Sequence, residues 1–348
     1  MTRTVNKNDK IYVAGHRGMV GSAIMRTLNK QGYKNLIGRS SRELDLCRQD
    51  AVEEFFAAEK PDRVFLAAAR VGGIMANKTY PAQFIYINLA IQTNVIHAAW
   101  KNRVKSLLFL GSSCIYPRDC PQPIKEEYLL TSPLESTNEA YAVAKIAGLK
   151  LCQFYNEEYG TRYWSAMPTN LYGPNDNFDL EKSHVLPALI RKHHLAKLVQ
   201  EGDIEGVEKD ERRFGPIPED IRAALGLSGP DKGAPPKVVL WGTGSPKREF
   251  LHVDDLAMAL IHVMLQEKAA PGLINIGCGR DQTIAELTET VKRVVGFTGP
   301  TLWDSDKPDG TPQKLLDISK AMNLGWRPSI DLEEGLRSTY RWYLDETN

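Results

Sequence analysis

A short apolar segment followed by three evenly spaced glycines constrains the fold of this chain more than any other feature. Residues 10–14 (KIYVA) are typical of a buried strand, and Gly15, Gly18 and Gly21 follow before an apolar pattern with helical spacing begins. Glycines between a strand and a helix let backbone N–H groups approach a pyrophosphate, which the helix N-terminus also attracts. The loop therefore predicts a dinucleotide site, with a tight structural turn as the alternative.

The rest of the N-terminal half alternates predicted strands with predicted helices. Apolar segments at 35–37, 63–66 and 107–110 are typical of strands, and helical patterns cover 50–59 and 81–101 between them. This rhythm is typical of an α/β fold with a Rossmann-type, doubly wound parallel sheet that helices cover on both faces. Ligands of such sheets bind at the carboxyl ends of the strands, so the segment after the last of these strands is expected to lie at a site.

Composition excludes several classes of protein. The 348 residues include 44 basic and 43 acidic side chains, a net charge of +1, so no bulk binding to nucleic acid or to an anionic membrane is predicted. No apolar run approaches the length of about 20 residues that spans a bilayer, and residues 1–10 lack the apolar core of a secretory signal. The five cysteines form no CxxC pair and are odd in number, which argues against a disulfide framework. We therefore expect a cytoplasmic protein of one large domain or two closely joined ones, without a metal site.

Charge around the second predicted strand bears on which dinucleotide binds. An NAD site needs an acidic side chain after this strand to bind the ribose hydroxyls, but residues 38–42 (GRSSR) contain none and the first acid is Glu43. Arg39, and Arg17 inside the glycine loop, instead supply guanidinium groups that suit a 2′-phosphate. The pattern favours NADP (NADPH) over NAD, the alternative being that these arginines are solvated loop residues.

Two segments, LGSSCIYP and YAVAK, carry the candidate catalytic groups. Tyr141 and Lys145 lie four residues apart on a predicted helix, so they share a face and the ammonium is expected to lower the pKa of the phenol. Such a tyrosine exchanges protons with a carbonyl or alcohol oxygen, which Ser112 is expected to hold beside it. Taken alone, a YxxxK match usually marks a surface helix, and a strand-end cysteine such as Cys114 is usually a small buried residue.

Seven segments together resemble the GDP-L-fucose synthase family. In the family's order, and between about residues 10 and 345, they are GHRGMVGSA, AARVGGIMANKTYPAQFIYIN, LGSSCIYP, YAVAKIAGLKLC, MPTNLYGP, REFLHVDD and KPDGTPQKLLD. The resemblance implies an extended short-chain dehydrogenase that uses NADPH and forms a homodimer. It also implies 3,5-epimerisation and 4-reduction of GDP-4-keto-6-deoxy-D-mannose, which yields GDP-L-fucose.

The same resemblance implies roles for individual residues. The catalytic residues would be the reductase triad Ser112, Tyr141 and Lys145 and the epimerisation pair Cys114 and His184. The residues that would bind the cofactor are Gly15, His16, Arg17, Gly18, Met19, Val20, Gly21, Arg39, Ser41, Leu46, Leu110, Gly111, Ser112, Ser113, Lys145, Pro168, Thr169, Asn170, Leu171 and His184. The residues that would bind the GDP-sugar are Asn170, Lys192, Trp241, Arg248 and Asp309. Cations suit the diphosphate, and an aromatic ring suits the face of the guanine or the sugar.

The serine and cysteine of LGSSCIYP suit two reactions on one sugar ring. A 4-keto sugar has acidic hydrogens at C3 and C5, and inverting either centre needs one group to remove a proton and another to return it to the opposite face. Cys114 and His184 are the expected pair, while Ser112 and Tyr141 are expected to stabilise the enolate through the C4 oxygen.

Two domains are expected to interleave along the chain. Their boundaries are 1–174, completed by about 250–277, for the nucleotide-binding domain, and 175–249 with 278–348 for the substrate-binding lobe. Residues 200–236 form a longer and more charged connection than the family pattern suggests, and a short helix is predicted between Pro218 and Gly226.

This connection adjoins the expected substrate side, so the nucleotide sugar itself stays open. One alternative is a related enzyme that acts on a 3,6-dideoxy GDP-sugar, as in a colitose pathway. Another is an NAD-dependent epimerase that does not consume its cofactor, like UDP-galactose 4-epimerase. A binding protein without catalysis is disfavoured, because the Ser112, Tyr141 and Lys145 set is complete.

Overall fold

The computed structural model of the protein describes residues 6–307 and 309–347. Its strands are β1 Ile11–Ala14, β2 Leu36–Ile37, β3 Arg63–Leu66, β4 Ser106–Leu110, β5 Tyr163–Pro168, β6 Asn170–Tyr172, β7 Val238–Trp241, β8 Lys247–His252, β9 Leu273–Ile276, β10 Asp281–Thr283, β11 Thr301–Asp304 and β12 Gln313–Lys314. Its helices are α1 Met19–Lys30, α2 Gln49–Glu59, α3 Ile74–Thr79, α4 Pro81–Lys101, α5 Glu139–Tyr159, α6 Val185–Glu201, α7 Ile204–Phe214, α8 Glu219–Ala224, α9 Val253–Met264, α10 Ile284–Val295, α11 Ser319–Asn323 and α12 Leu332–Thr347. Single 3₁₀ turns cover Ser113–Ile115 and Glu126–Tyr128.

The chain forms two compact units. The first unit comprises the described residues up to Leu171 with Leu251–Gly279 and Leu315–Ser329, and the second comprises Tyr172–Phe250, Arg280–Lys314 and the described residues from Ile330. The predicted boundaries instead assigned residues 315–329 to the substrate-binding lobe. In the structure Leu316 forms a β-bridge with Ile124 and shares a buried core with it, a long-range contact that the sequence does not reveal. The outermost predicted limits, residues 1 and 348, lie outside the described residues.

A six-stranded sheet forms the centre of the first unit. Its order is β2-β1-β3-β4-β5-β9, and all neighbouring strands are parallel. Alternate side chains of β1 point to opposite faces: Tyr12 enters the core beneath α2, α4 and α5, whereas Ile11 and Val13 enter the core beneath α1 and α9. Strands β1, β3, β4 and β5 are buried along their whole length, as strands covered on both faces should be. The predicted α/β fold with a doubly wound parallel sheet is confirmed.

The strand order reverses at β1, and this reversal positions a ligand site. From β1 the chain passes to β2 on one side, and it returns through α2 to β3 on the other side. The connection that leaves β1 runs to β2 on one side and the connection that leaves β3 runs to β4 on the other, so a crevice lies between their carboxyl ends, where ligands of these sheets bind. The glycine loop that follows β1 borders this crevice.

The second unit combines short strands with helices around its own core. Strand β8 pairs antiparallel with β10 and parallel with β12, and β7 pairs parallel with β11. Helices α6, α10 and α12 contribute Leu189, Leu287 and Leu336 to one buried cluster. The short helix predicted in the 200–236 connection is confirmed as α8, after which Gly226 adopts a φ of +72°.

A buried ion pair joins α6 to α7. Helix α7 itself was not predicted from the sequence. Arg191 is fully buried, and its Nε donates to Oδ1 of Asp210 over 2.8 Å. The remaining guanidinium N–H groups donate to backbone carbonyls, and the hydroxyl of Tyr343 on α12 donates to the second oxygen of Asp210. Three helices and the loop between them are therefore tied to one charged centre inside the second unit.

Across residues 6–307 and 309–347, no helix is both long and apolar enough to cross a membrane. The same residues include no group of three or more His, Cys, Asp or Glu side chains arranged to hold a metal ion.

Candidate active site

The loop after β1 is shaped for close approach between a ligand and the backbone. Gly15 has a φ of +84°, and a Cβ there would lie 2.8 Å from the backbone nitrogen of Ala68, which follows β3. A Cβ on Gly21 would lie 2.1 Å from the carbonyl oxygen of Gly15. Gly18 precedes α1 and offers no side chain to cap it, so the first N–H groups of the helix face the loop uncapped. This geometry fits a pyrophosphate at the helix N-terminus.

Both arginines considered for a 2′-phosphate lie near this loop. Arg17 is an exposed residue of the loop itself. Arg39 follows Gly38, which packs so closely on the ring of His16 in the loop that a Cβ on Gly38 would lie 2.4 Å from the ring. Arg39 donates to Oε1 of Glu59 over 2.7 Å and to the carbonyl of Gly38 over 3.0 Å. A phosphate bound by Arg39 would therefore compete with Glu59, a partner from the end of α2 that no local sequence pattern indicates.

The carboxyl end of β4 brings three candidate catalytic groups together. Ser112 and Cys114 both lie near enough to the phenol of Tyr141 to influence its pKa. The N–H of Cys114 also donates to Oγ of Ser112 over 3.2 Å where the 3₁₀ turn begins. Although Tyr141 keeps some exposed surface, burial of its hydroxyl and the charge of Cys114 raise its pKa well above the ordinary value. The phenol is therefore protonated at neutral pH, which suits a proton donor.

Lys145 does not act on Tyr141 in the way that its spacing predicts. Its buried ammonium donates to the carbonyl of Leu110 over 2.8 Å and lies 5.8 Å from the centroid of the Tyr141 ring. Burial lowers the pKa of Lys145 to about 7. The prediction that this ammonium lowers the pKa of Tyr141 is wrong, because helix spacing aligns the two side chains but the ammonium turns to the strand end.

The first unit contains further residues that were predicted to bind the cofactor. Each is either the last residue of β1, β2, β4 or β5 or lies in the segment after one of these strands. They are Met19, Val20, Ser41, Leu46, Leu110, Gly111, Ser113, Pro168, Thr169, Asn170 and Leu171. Parallel strands end at the same edge of a sheet, so these residues share one side of it. Sequence reasoning misses the buried Asn88 on α4, whose amide accepts from the N–H of Arg70 and donates to its carbonyl, each over 3.0 Å. Asn88 thereby holds the loop after β3 at the same edge.

In the second unit, His184 is the N-cap residue of α6. The residue is solvent-accessible, yet the protein atoms around the ring lower its pKa, so the imidazole is neutral at neutral pH. Asp176, on the connection from β6 to α6, is a candidate that sequence reasoning misses. Its Oδ1 accepts from the N–H of Asn177 over 2.7 Å, its Oδ2 is buried without a partner among the described residues, and burial raises its pKa to about 7. Both groups suit proton transfer near neutral pH.

A cavity of about 310 Å³ lies beside β7 in the second unit. Two residues predicted to bind the GDP-sugar line it, Lys192 on α6 and Trp241 at the end of β7. Lys192 donates to the carbonyl of Val239 over 3.1 Å, and burial lowers its pKa. Trp241 is 61% exposed, and the Nζ of Lys307 lies 5.6 Å from its ring centroid. The lining residues that sequence reasoning misses include Asp220, Lys237, Asp304 and Lys307, which no motif connects.

Arg248 and Asp309 lie in the second unit but do not line this cavity. Arg248 is on β8, paired with Gln282 of β10 and Lys314 of β12, and burial lowers its pKa. Asp309 accepts from the backbone N–H and the hydroxyl of Thr243, over 2.9 and 2.7 Å. Of the five residues predicted to bind the GDP-sugar, only Lys192 and Trp241 therefore line this cavity.

Known proteins are similar to this chain over most of its length. The profile of the NAD dependent epimerase/dehydratase family matches residues 11–225 and 215–277, which include the glycine loop, the end of β4 and the start of α5. The chain belongs to this family.

Relatives within the family are similar along nearly their whole length. GDP-L-fucose synthase 1 of Arabidopsis thaliana is 55% identical over 97% of this chain and 94% of its own. GDP-L-fucose synthase of Escherichia coli (strain K12) is 50% identical over 97% of each chain. A solved GDP-D-glycero-L-gluco-heptose synthase of Campylobacter jejuni, in the presence of NADPH, is 41% identical, covers 98% of this chain and 100% of its own, and superposes with a TM-score of 0.88. The sequence-based assignment to the GDP-L-fucose synthases is confirmed.

Proposed function

We propose that this protein is an NADPH-dependent epimerase-reductase that converts GDP-4-keto-6-deoxy-D-mannose to GDP-L-fucose. The observation that carries the proposal is the end of β4, where Ser112, Tyr141 and Cys114 lie together at the edge of the sheet that also holds the glycine loop. Identity of 50% and 55% to GDP-L-fucose synthases over nearly the full chain supports the GDP-sugar as the substrate class.

NADPH fits the residues at this edge. The pyrophosphate would lie against the N–H groups at the start of α1, where Gly15 and Gly21 leave no room for side chains. Arg39 would hold the 2′-phosphate in place of its present contact with Glu59. When bound, the cofactor supplies a hydride to C4 of the sugar.

For the reduction, Tyr141 serves as the proton donor and Ser112 holds the C4 oxygen. Because the pKa of Tyr141 is raised, the phenol keeps its proton until a strongly basic alkoxide develops on C4. Ser112 lies close to the phenol of Tyr141, so one substrate oxygen placed beside both would accept from both hydroxyls. Lys145 supports the strand end by its bond to the carbonyl of Leu110.

For the epimerisation, we propose Cys114 and His184 as the proton-transfer pair. One group removes the proton from C3 or C5 and leaves an enolate, and the other returns a proton to the opposite face, so no net proton is consumed. The neutral imidazole of His184 is able to accept a proton at neutral pH. Ser112 and Tyr141 donate to the enolate oxygen between the two transfers.

The assembly and the location also belong to the proposal. Helices α4 and α5 pack on each other, and they leave Tyr86, Val143 and Phe154 exposed by 69%, 40% and 54%. We propose that a second copy of the chain covers these side chains in a homodimer. The cysteine pattern, odd in number and without a CxxC pair, supports the cytoplasm as the location.

The test is direct. The purified protein is incubated with NADPH and GDP-4-keto-6-deoxy-D-mannose, the product is identified by NMR, and NADPH oxidation is followed by absorbance. GDP-L-fucose formed with one NADPH oxidised per sugar is the expected result. Turnover of a 3,6-dideoxy GDP-sugar alone would assign the colitose-type reaction instead. Epimerisation without net NADPH oxidation would assign the non-consuming alternative.

A further inference from the structure

The cavity beside β7 is lined by a carboxylate that no step proposed above uses. This carboxylate belongs to Asp220 on α8, within the 200–236 connection. We infer that Asp220 selects the guanine base of the sugar nucleotide. The inference rests on the proposed function, which requires a GDP-sugar, and it assigns a role to a connection that had none.

The size and the walls of the cavity suit a flat base. Small-molecule sites begin at about 300 Å³, and this cavity measures about 310 Å³. Ile221 and Ala224 of α8 and Leu225 directly after it line the cavity, together with Val238 and Val239 of β7. The exposed indole at the end of β7 lines the cavity as well and offers an aromatic face for stacking.

Two of the charged side chains that line the cavity, Asp220 and Lys192, carry opposite charges and interact without forming a salt bridge. The charge of Asp220 acts on Lys192 and opposes the lowering of its pKa by burial, yet the described residues show no salt bridge between the two. Lys192 directs one N–H to the carbonyl of Val239, so two of its three donors remain for a ligand. The cavity therefore offers a hydrogen-bond acceptor and a donor separately.

Three other charged side chains line the cavity, those of Lys237, Asp304 and Lys307, and the Nζ of Lys307 lies 5.6 Å from the centroid of the Trp241 ring. Oδ1 of Asp304 accepts from the N–H of Asp306 over 3.2 Å, and Lys237 pairs with Asp231 over 3.4 Å. The side chain of Asp220 is exposed and has no hydrogen bond or ion pair to another described residue, so its carboxylate is an acceptor that is open to a ligand.

Guanine is the base that matches this pair of groups. Its N1–H and 2-amino group donate side by side, so one carboxylate accepts both, and its O6 accepts from an ammonium. Adenine presents an unprotonated N1 at the same place, which a carboxylate repels. Hypoxanthine keeps the N1–H but lacks the 2-amino group, so it makes one of the two bonds. The expected order of affinity is GDP, then IDP, then ADP.

Calorimetric titration of the full chain with GDP, IDP and ADP tests the inference. Asp220→Ala is expected to weaken GDP binding by about tenfold or more and to leave ADP binding equal or tighter, which removes most of the preference for guanine. Glu219→Gln is the matched control, because Glu219 lies beside Asp220 on α8 but bonds to Ser228 and does not line the cavity. In turnover, Asp220→Ala is expected to raise KM for the GDP-sugar with kcat retained.

An Asp220→Ala protein that binds GDP as tightly as wild type, with the same ratio to ADP, would overturn the inference. If wild type still turns over the GDP-sugar in that case, the proposed function stands and only the role of Asp220 is lost. If the wild-type protein does not bind GDP more tightly than ADP, that result would count against both the proposed function and the role of Asp220. An equal loss of GDP and ADP binding in Asp220→Ala would show a role in shaping the cavity and would likewise overturn base selection.

Discussion

At the scale of single residues, the end of β4 places two kinds of chemistry on neighbouring side chains. Ser112 lies near the phenol of Tyr141, and its Oγ accepts from the N–H of Cys114, so one turn positions the hydroxyl and the thiol relative to each other. In the proposed reaction, a protonated phenol and a thiol would have different tasks on a 4-keto sugar, one at the carbonyl oxygen and the other at the adjacent carbons. Substitutions at these positions should therefore separate the two reactions.

Cys114→Ser is expected to slow epimerisation by about 100-fold or more, because a serine hydroxyl ionises far above neutral pH. The variant should still reduce some unepimerised ketone, since Ser112, Tyr141 and Lys145 are intact. NMR of the products made in D₂O should show a C4-reduced sugar with unchanged C3 and C5 and little deuterium at those carbons. Tyr141→Phe should do the reverse and retain exchange while losing hydride transfer.

The control for this pair is Cys47→Ser, which replaces a cysteine after β2 and should leave both activities intact. Formation of GDP-L-fucose by Cys114→Ser at the wild-type rate would show that Cys114 only packs at the strand end.

Arg39→Ala is expected to weaken NADPH binding about tenfold or more, since a charged hydrogen bond to phosphate contributes about 1.5–3 kcal/mol. NADH binding by Arg39→Ala should not change. Glu59→Gln should bind NADPH as tightly as wild type or more tightly, because Glu59 holds the Arg39 guanidinium in the structure. Dissociation constants for both cofactors, measured by fluorescence titration, check this. Arg48→Ala, which removes an exposed pair with Asp50, is the control. Equal affinity of wild type for NADH and NADPH would contradict the assignment.

At the scale of elements, α7 and α8 turn the 200–236 connection into part of the second unit. Helix α8 contributes a wall of the cavity, and α7 is anchored by the fully buried pair of Arg191 and Asp210. The paired charges are satisfied by backbone carbonyls and by Tyr343, so the cost of their burial is largely offset. Removing one partner alone leaves the other charge buried without compensation.

Arg191→Met is therefore expected to lower the free energy of unfolding by about 3–5 kcal/mol, and the added change Asp210→Leu should recover much of that loss. Urea unfolding followed by tryptophan fluorescence measures both. Arg212→Met, on the exposed side of α7 where Arg212 pairs with Glu208, should cost at most about 1 kcal/mol. Unchanged stability of Arg191→Met would mean that the pair does not anchor α7.

At the scale of the whole molecule, the apolar surface of α4 and α5 bears on assembly. Large exposed apolar side chains on two packed helices are typical of a surface that another chain covers. Tyr86 and Phe154 are the most exposed of the three named above, at 69% and 54%.

The double variant Tyr86→Glu, Phe154→Glu is expected to convert the proposed dimer to a monomer, because each glutamate would place a charge in a contact that excludes water. Sedimentation velocity should show the mass of one chain for the variant and of two chains for the wild type. Leu302→Glu, on β11 of the second unit and 46% exposed, is the control and should leave the mass unchanged. A monomeric wild type at micromolar concentration would contradict the dimer.

Local patterns in the sequence determined most of the sheet and indicated Ser112, Tyr141 and Lys145 as candidate catalytic groups. The roles expected for Cys114 and His184 came from the resemblance to the family. Strand β3 and helix α4 were predicted at their observed limits, because apolar alternation and helical spacing follow from which side chains each segment buries. The glycine loop was predicted because its steric requirement is local. The direction of the Lys145 ammonium, the pairing of Arg39 with Glu59 and the place of Asp220 in a cavity were decided by the tertiary structure alone. Each depends on groups from different elements, whose separation in space no spacing along the chain encodes.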